Sequence, residues 1–356
     1  MDSSPPMWNR SPMLHEAMAR RLYRRSEATG RIKLPAVPGM LDEYVRMCET
    51  MFAALGTALD AQQRDHLQKA LRTELEAAFA ASPRSHIVIS YEAPIGNVLN
   101  YWVRAEWQSI EAGYESWVAL RQPPLFGTEP DARVWALAGE TADPQNCRVL
   151  DIGAGTGRNS LALARRGHPV DAVEMTPLFA DNIRADAQRD GLGVRVIQRD
   201  VFTAGDELGS DYRLIVLSEV TPDFRTTRQL RDMFELAARR LAPGGSLVFN
   251  VFLARDGYLP DAAAVELSQQ CYNMLFTWDQ MHAAVDGLGL QLVADDSVHD
   301  YEKTHLPEGA WPPTGWYAEW TRGQDVFDVK PNACPIEMRW LVYRKPAGAD
   351  EATMSR

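Results

Sequence analysis

CRVLDIGAGTGRNSLALARRGHPVDAVE, residues 147–174, is the stretch from which the fold can be read. An apolar strand enters three glycines at alternate positions, Gly153, Gly155 and Gly157. It then continues into a helix and a second strand that ends in an acid, Glu174. Residues without a Cβ let the backbone turn tightly and let a ligand approach the main chain. The helix that begins near Thr156 aims its free N–H groups at the same space.

Working outward, strand-like runs recur at 147–152, 169–174, 193–198, 212–218, 246–252, 289–297 and 336–344. Helical patterns fit between them at about 157–167, 177–190, 225–241 and 277–288. Such alternation predicts an α/β protein with a mostly parallel, doubly wound sheet. Glu174 closes the second strand 23 residues after Asp151, where a carboxylate can take both hydroxyls of a ribose. Asp200 ends the third strand in VIQRDVF, placed to accept from an exocyclic amine such as that of adenine. A dinucleotide site would read GxGxxG. Here Gly157 is two residues after Gly155, and Arg158 holds the third position. The plainest alternative is a tight strand–helix turn with no ligand.

Together VLDIGAGTGRNS, Glu174, RDVF and the later LAPGGSLVF (241–249) resemble the class I S-adenosylmethionine-dependent methyltransferases over about 200 residues. The wording GTGRNSLALARRGHPVDAVE and FTWDQMHAAVDGLGLQLV is most similar to the tellurite-resistance-type small-molecule enzymes. The resemblance implies a Rossmann-like, seven-stranded sheet and S-adenosyl-L-methionine as cofactor. It also implies cofactor roles for Asp151, Gly153, Ala154, Gly155 and Asn159, and for Glu174, Met175, Asp200, Val201 and Ser218. Asp151 and the glycines would hold the methionine end, Glu174 the ribose, Asp200 and the Val201 backbone the adenine. Ser218 would lie beside the sulfonium. Beyond LVFNVF the basic residues expected of a tellurite enzyme are not reproduced.

Ligands of open parallel sheets lie beyond the carboxyl ends of the strands. LSEVTPDFR (217–225) therefore faces the transferable methyl and lacks the Asn/Asp-Pro-Pro-aromatic box usual in nitrogen methyltransferases. Glu219 and Asp223 are candidate bases; alternatively Glu219 supports the cofactor and Asp223 caps the next helix. Residues 299–337 form an unusually long connection between the last two strands. Its Trp311, Trp316, Tyr317 and Trp320 are read either as a pocket wall for an aromatic or cationic group or as packing. Tyr114 and Trp117, three apart, face pocket or core. His299 is a candidate base or an ordinary histidine, and no metal is expected.

Residues 1–125 read as a mainly helical lid or substrate region, with PPLFG (123–127) as the break. The methyltransferase domain follows over 126–346, and 347–356 as a disordered tail. Within the first part, 41–81 and 98–122 look helical and HIVISY (86–91) strand-like. Four dispersed cysteines without a CxxC pair argue for buried thiols and a cytoplasmic location. No run is apolar enough for a membrane span, and the N-terminal residues do not read as a secretory signal. A net charge of −11 counts against a nucleic-acid partner. The expected activity is methyl transfer to a small molecule. A protein or RNA methyltransferase docking through residues 1–125, and a non-catalytic cofactor-binding protein, are the alternatives.

Overall fold

The computed structural model describes residues 11–23, 25, 27–93 and 99–347. The chain divides into two compact units, one of residues 1–114 with 262–270, the other of 115–261 with 271–356. The break expected at 123–127 therefore falls earlier. The expected tail lies, but for residue 347, outside the described residues.

The first unit adds a three-stranded sheet to its helices. It contains α1 (Ser11–Tyr23), β1 (Ala28–Pro35), α2 (Leu41–Ala54), α3 (Ala61–Ala81), β2 (His86–Ala93), β3 (Asn100–Glu106) and the start of α4 (Ile110–Ala119). The antiparallel sheet β1-β2-β3 turns Ile32, Ile89 and Val103 to one face, level with one another. Ile89 and Val103 join Phe52, Leu67, Leu71 and Leu75 of α2 and α3 in the unit's core. The helix expected over 98–122 is thus a strand followed by a helix. Its first part alternates in and out with period two, which the closely spaced aromatics obscured.

The second unit holds α5 (Ala132–Ala138), β4 (Val149–Ile152), α6 (Arg158–Arg165), β5 (Val170–Val173), α7 (Pro177–Arg189), β6 (Val194–Ile197), β7 (Tyr212–Leu217), α8 (Thr227–Arg240) and β8 (Leu241–Ala254). Next comes α9 (Ala262–Gln270), which counts with the first unit. There its Glu266 accepts the Gly39 N–H at 2.7 Å. The second unit resumes with β9 (Leu275–Phe276), α10 (Trp278–Val285), β10 (Gln291–Ser297), α11 (Val298–His305), α12 (Tyr317–Trp320) and β11 (Ile336–Arg344).

The sheet order is β10-β11-β8-β7-β4-β5-β6, with the short β9 beside β8. All seven expected strands are present, and β9 is the addition. Strands β7, β4, β5 and β6 are parallel, while β11 runs against both neighbours. Central strands such as VLDI and VDAV are apolar throughout save one acid because helices cover both faces. Strand order reverses between β4 and β7, which opens a crevice at their carboxyl ends. The core beneath it includes Val149, Val216, Val248, Phe252 and Trp340. Among the described residues no helix is long and apolar enough to cross a membrane, and the four cysteines form no disulfide.

At mid-sheet, Asp171 of β5 is buried and accepts from Arg148 and from two nitrogens of Arg195, each at 2.8 Å, and from the Tyr212 hydroxyl. Burial alone would raise this carboxyl's pKa. The bonds from Arg195 and Tyr212, with the charge of Arg148, outweigh it and hold the pKa below the ordinary value. The group therefore stabilises the fold above its unfolded-state pKa, and that contribution is lost as pH falls through the lower folded value. Asp171→Asn is expected to cost about 1.5–3 kcal/mol at neutral pH. Urea titrations of both proteins should converge in acid; a gap constant down to about pH 2 would refute the assignment.

Candidate active site

Strand β4 ends at Ile152, in line with Val173 of β5 and Ile197 of β6. Gly153, Gly155 and Gly157 then take φ of +67°, +54° and +87°, a region costly to side-chain-bearing residues. A Cβ on Gly153 would lie 2.4 Å from Val220 Cγ2. This glycine is thus required twice, by its φ and by the close approach of the segment after β7. The N–H groups of Gly153 and Ala154 donate to Val173 O at 2.8 and 3.1 Å. No side chain caps α6, whose N-cap is Gly157. Its first-turn amides point into the crevice end of the sheet.

Glu174 follows β5 directly. Its two oxygens accept from Gly155 N at 2.8 Å and Thr176 N at 2.7 Å. Burial raises its pKa, and the backbone bonds from Thr176 and Gly155 oppose the rise. Met175 beside it is exposed. Asp200, past β6, is exposed and accepts from Phe202 N at 2.9 Å, while Val201 is buried. Asp151 lies beneath the turn, bonded to Ser160 Oγ at 2.6 Å, and burial pushes it up to about 7. The row Gly153–Gly155, Glu174, Asp200 thus spans three neighbouring parallel strands.

Asn159 does something else. Its amide exchanges two bonds with Asp131, donating to Oδ2 at 2.8 Å and accepting from the Asp131 N–H at 2.9 Å. That pairing fixes the Asn159 side chain against Asp131. Ser218 likewise donates to Asp131 Oδ2 at 2.6 Å.

Asp131, which the sequence did not single out, is the hub. It stands at the N-terminus of α5 and is 1% exposed. Arg158 bridges it at 2.7 Å and Glu219 at 3.0 Å. Glu219 has φ +61° and is held by the Asn250 side-chain oxygen, which accepts its N–H at 2.7 Å. Glu302 of α11 accepts from the N–H groups of Ala132 and Arg133 and from Trp340 Nε1, at 2.8, 3.2 and 2.9 Å. Burial raises Glu219 and Glu302 each to about 7; Arg158 opposes the rise at both, and Asp131 adds to it. The signals available were the Pro130-Asp131 start of a helix and an arginine inside the glycine turn.

The aromatic residues divide. Phe126 is 3.7 Å from where a Gly155 Cβ would be, and it stacks on Trp117 at 5.4 Å between centroids. Trp117 meets Trp316 edge-on at 6.4 Å, and Trp316 lies 5.8 Å from Tyr317. Trp311 packs 5.8 Å from Tyr317 and 5.0 Å from His299. Trp320 is core: it packs edge-on against Phe252 and donates Nε1 to Tyr272 O at 3.0 Å. Its part in a pocket wall is therefore corrected to packing. Tyr114 belongs to the first unit and is half-buried. His299 is buried, bonded to Asp300 at 2.8 Å, and burial lowers its pKa. Asp223 sits in a short 3-10 turn, and Thr226 caps α8 in its place.

Residues 149–245 match the family model described as a methyltransferase domain. This segment is accordingly a class I methyltransferase domain, with S-adenosylmethionine as its cofactor. Over 127 residues the chain is 36% identical to the ribosomal RNA small subunit methyltransferase C of Chromohalobacter salexigens, across 34% of this chain and 36% of that protein. The chain thus spans only 36% of the length of this curated relative. Among solved structures it is similar to the geranyl diphosphate C-methyltransferase of Streptomyces coelicolor A3(2), with 15% identity, TM-score 0.46, and 60% of this chain and 78% of that one covered. The [4+2]-cyclase SpnF is similar at 18% identity and TM-score 0.43, with 61% and 81% covered.

Removing the guanidinium would leave Asp131 and Glu219 buried without a counter-ion. Arg158→Met is expected to destabilise the fold by about 3–5 kcal/mol near neutral pH. A carboxyl whose folded pKa is raised binds protons in the folded state before the unfolded one does. Lowering the pH from about 7 toward the ordinary carboxylate range therefore stabilises the variant. Denaturant melts at about pH 8 and pH 5.5 should show the deficit shrinking in acid. A deficit independent of pH would count against this account.

Proposed function

We propose that this chain, in which residues 149–245 form a methyltransferase domain, transfers a methyl group from S-adenosylmethionine to a small-molecule acceptor. One observation carries the reading: the glycine turn, Glu174 and Asp200 stand in a row at the aligned carboxyl ends of β4, β5 and β6. Main-chain groups of Gly153, Ala154 and Gly155 would take the methionine end, Glu174 and Met175 the ribose, Asp200 and Val201 the adenine. The donor set fits, since Glu174 already has its oxygens oriented by two N–H groups and the glycines leave the main chain uncovered.

The bound cofactor supplies an electrophilic methyl on a sulfonium. The chain's own task is to orient the acceptor in line with it and to exclude competing water. Phe126, Trp117 and Trp316, linked ring to ring beside Gly155, are suited to that exclusion. Wording similar to the tellurite-resistance-type enzymes also supports a small acceptor. Four dispersed cysteines without a CxxC pair favour a cytoplasmic setting.

The name of the curated relative raises RNA as a second reading. A net charge of −11 and the lack of an Asn/Asp-Pro-Pro-aromatic box after β7 weigh against it. The decisive measurement is calorimetric titration with S-adenosylhomocysteine. Wild type should bind, and Glu174→Ala should bind at least about tenfold more weakly, the loss of one or two charge-assisted hydrogen bonds. Equal affinity would remove Glu174 from the site, and no binding by folded wild-type protein would end the proposal.

A further inference from the structure

Three carboxylates, Asp131, Glu219 and Glu302, share one guanidinium, Arg158, in the buried cluster beyond β7. Two of the three are held closely. Asp131 accepts from Ser218 and Asn159 on one oxygen, while the other is ion-paired with Arg158 and accepts no hydrogen bond. Glu302 takes two backbone N–H groups and an indole N–H. Glu219 uses only Oε1, on Arg158, and its side chain remains 13% exposed. Its backbone is held in the left-handed region by Asn250, a strained setting of the kind retained at functional positions.

A second observation is independent of these charges. Tyr317 is 1% exposed, yet its hydroxyl has no hydrogen-bond partner among the described residues. Buried hydroxyls are nearly always paired, and leaving one unpaired costs free energy. Burial raises this phenol's pKa well above its ordinary value, the charges of Asp131, Glu302 and Glu219 add to the rise and Arg158 opposes it, so the ring lies within reach of the cluster's charges. The half-buried rings of Trp311 and Trp316 flank it, each 5.8 Å away. A negative field, one free carboxylate oxygen, an idle hydroxyl and indole faces together describe a receptor for an ammonium group.

Resting on the methyl-transfer reading above, we propose that Glu219 and Tyr317 bind the amino group of the acceptor, which is therefore a primary or secondary amine carrying an apolar body. Glu219 and the Tyr317 hydroxyl oxygen accept two N–H bonds of the ammonium. One proton passes from nitrogen to the free Glu219 oxygen, which burial readies by raising its pKa to about 7. The freed lone pair forms the N–CH3 bond as the C–S bond breaks, and that bonding pair stays on sulfur. The positive charge thus moves from sulfur to the methylated nitrogen. The Glu219 proton then goes to solvent. A carboxylate or phosphate acceptor would be repelled here, and a neutral alcohol would gain nothing from the excess charge.

The test uses the full chain, titrated by tryptophan fluorescence with and without S-adenosylhomocysteine. The probes are the phenylalkylamines from benzylamine to 4-phenylbutylamine and the alcohols of equal length. At least one amine should bind about tenfold or more tightly than its alcohol, as loss of one charge-assisted bond requires. Tyr317→Phe should weaken that amine about tenfold and leave the alcohol and S-adenosylhomocysteine unchanged. It should also leave Tm equal or raised by about 2–4 °C, since an idle buried hydroxyl is gone. Glu219→Gln, where it folds, should abolish the preference. Equal binding of amines and alcohols, no amine binding, or a lower Tm for Tyr317→Phe would overturn the inference. So would a parallel loss of S-adenosylhomocysteine, which would assign the cluster to the cofactor. Retention of S-adenosylhomocysteine by wild type with no amine preference defeats this inference alone, whereas failure to retain it defeats the methyl-transfer reading.

Discussion

A single guanidinium holds the crevice end of the sheet together. Arg158 leaves the glycine turn at the first position of α6 and reaches both Asp131, ahead of α5, and Glu219, beyond β7. Those three segments come from distant parts of the sequence. Only a buried ion pair with a planar, multiply donating partner can join them at hydrogen-bond distance. The glycines make this possible. With a Cβ at Gly153 the segment carrying Glu219 and Val220 would have to withdraw, and the Arg158 bridge would open.

The same domain contains the opposite solution. Asp171 meets two arginines and a tyrosine, and its pKa falls. Glu219 and Glu302, in the cluster with one arginine and a third carboxylate, are raised to about 7. Burial raises all three; Asp171 has two arginines and a tyrosine hydroxyl to offset it, whereas Glu219 and Glu302 have one arginine and are raised further by the charge of Asp131. A purely structural acid can be given every donor it needs, as Asp171 is. Carboxylates left short of donors are destabilising unless something else enters, and this shortage distinguishes the crevice end from the middle of the sheet.

How much of this was legible in the sequence follows from the range of the interactions. Strands β4, β5, β6 and β7 were readable within two residues because each is a short, mostly apolar run, whereas β8 starts five residues before the expected 246. The glycine turn and Glu174 were readable because their logic is local. Strand β3 was not, since Tyr101 and Trp102 put aromatics on both faces and mimicked helical spacing. Strand β1, ATGRIKLP, alternates weakly and depends on pairing with β2 for its existence. Asp131, Glu302 and Asn250 were invisible for another reason: each looks ordinary in its own segment, and only the fold sets them against Arg158 or Glu219. The long connection at 299–337 was recognisable by length, but its tryptophans serve packing and surface at once. Nothing in the chain separates Trp320, which is core, from Trp316, which is half-buried.

The boundaries of the family match add a final point. Residues 149–245 include the turn, Glu174, Asp200, Arg158 and Glu219. Asn250, Glu302, Trp311, Trp316 and Tyr317 fall beyond it, and Trp117, Phe126 and Asp131 before it. What grips the cofactor in our reading is thus shared with the family. What closes around the acceptor combines Glu219 from within the match with residues from the segments on either side of it. Glu302 fastens the long connection to the α5 amides and to Trp340, and Trp320 fastens it again to Phe252 and Tyr272. The connection reaches the glycine turn by way of rings, Trp316 to Trp117 to Phe126 beside Gly155, so a change of acceptor selectivity there is felt at the turn through packing.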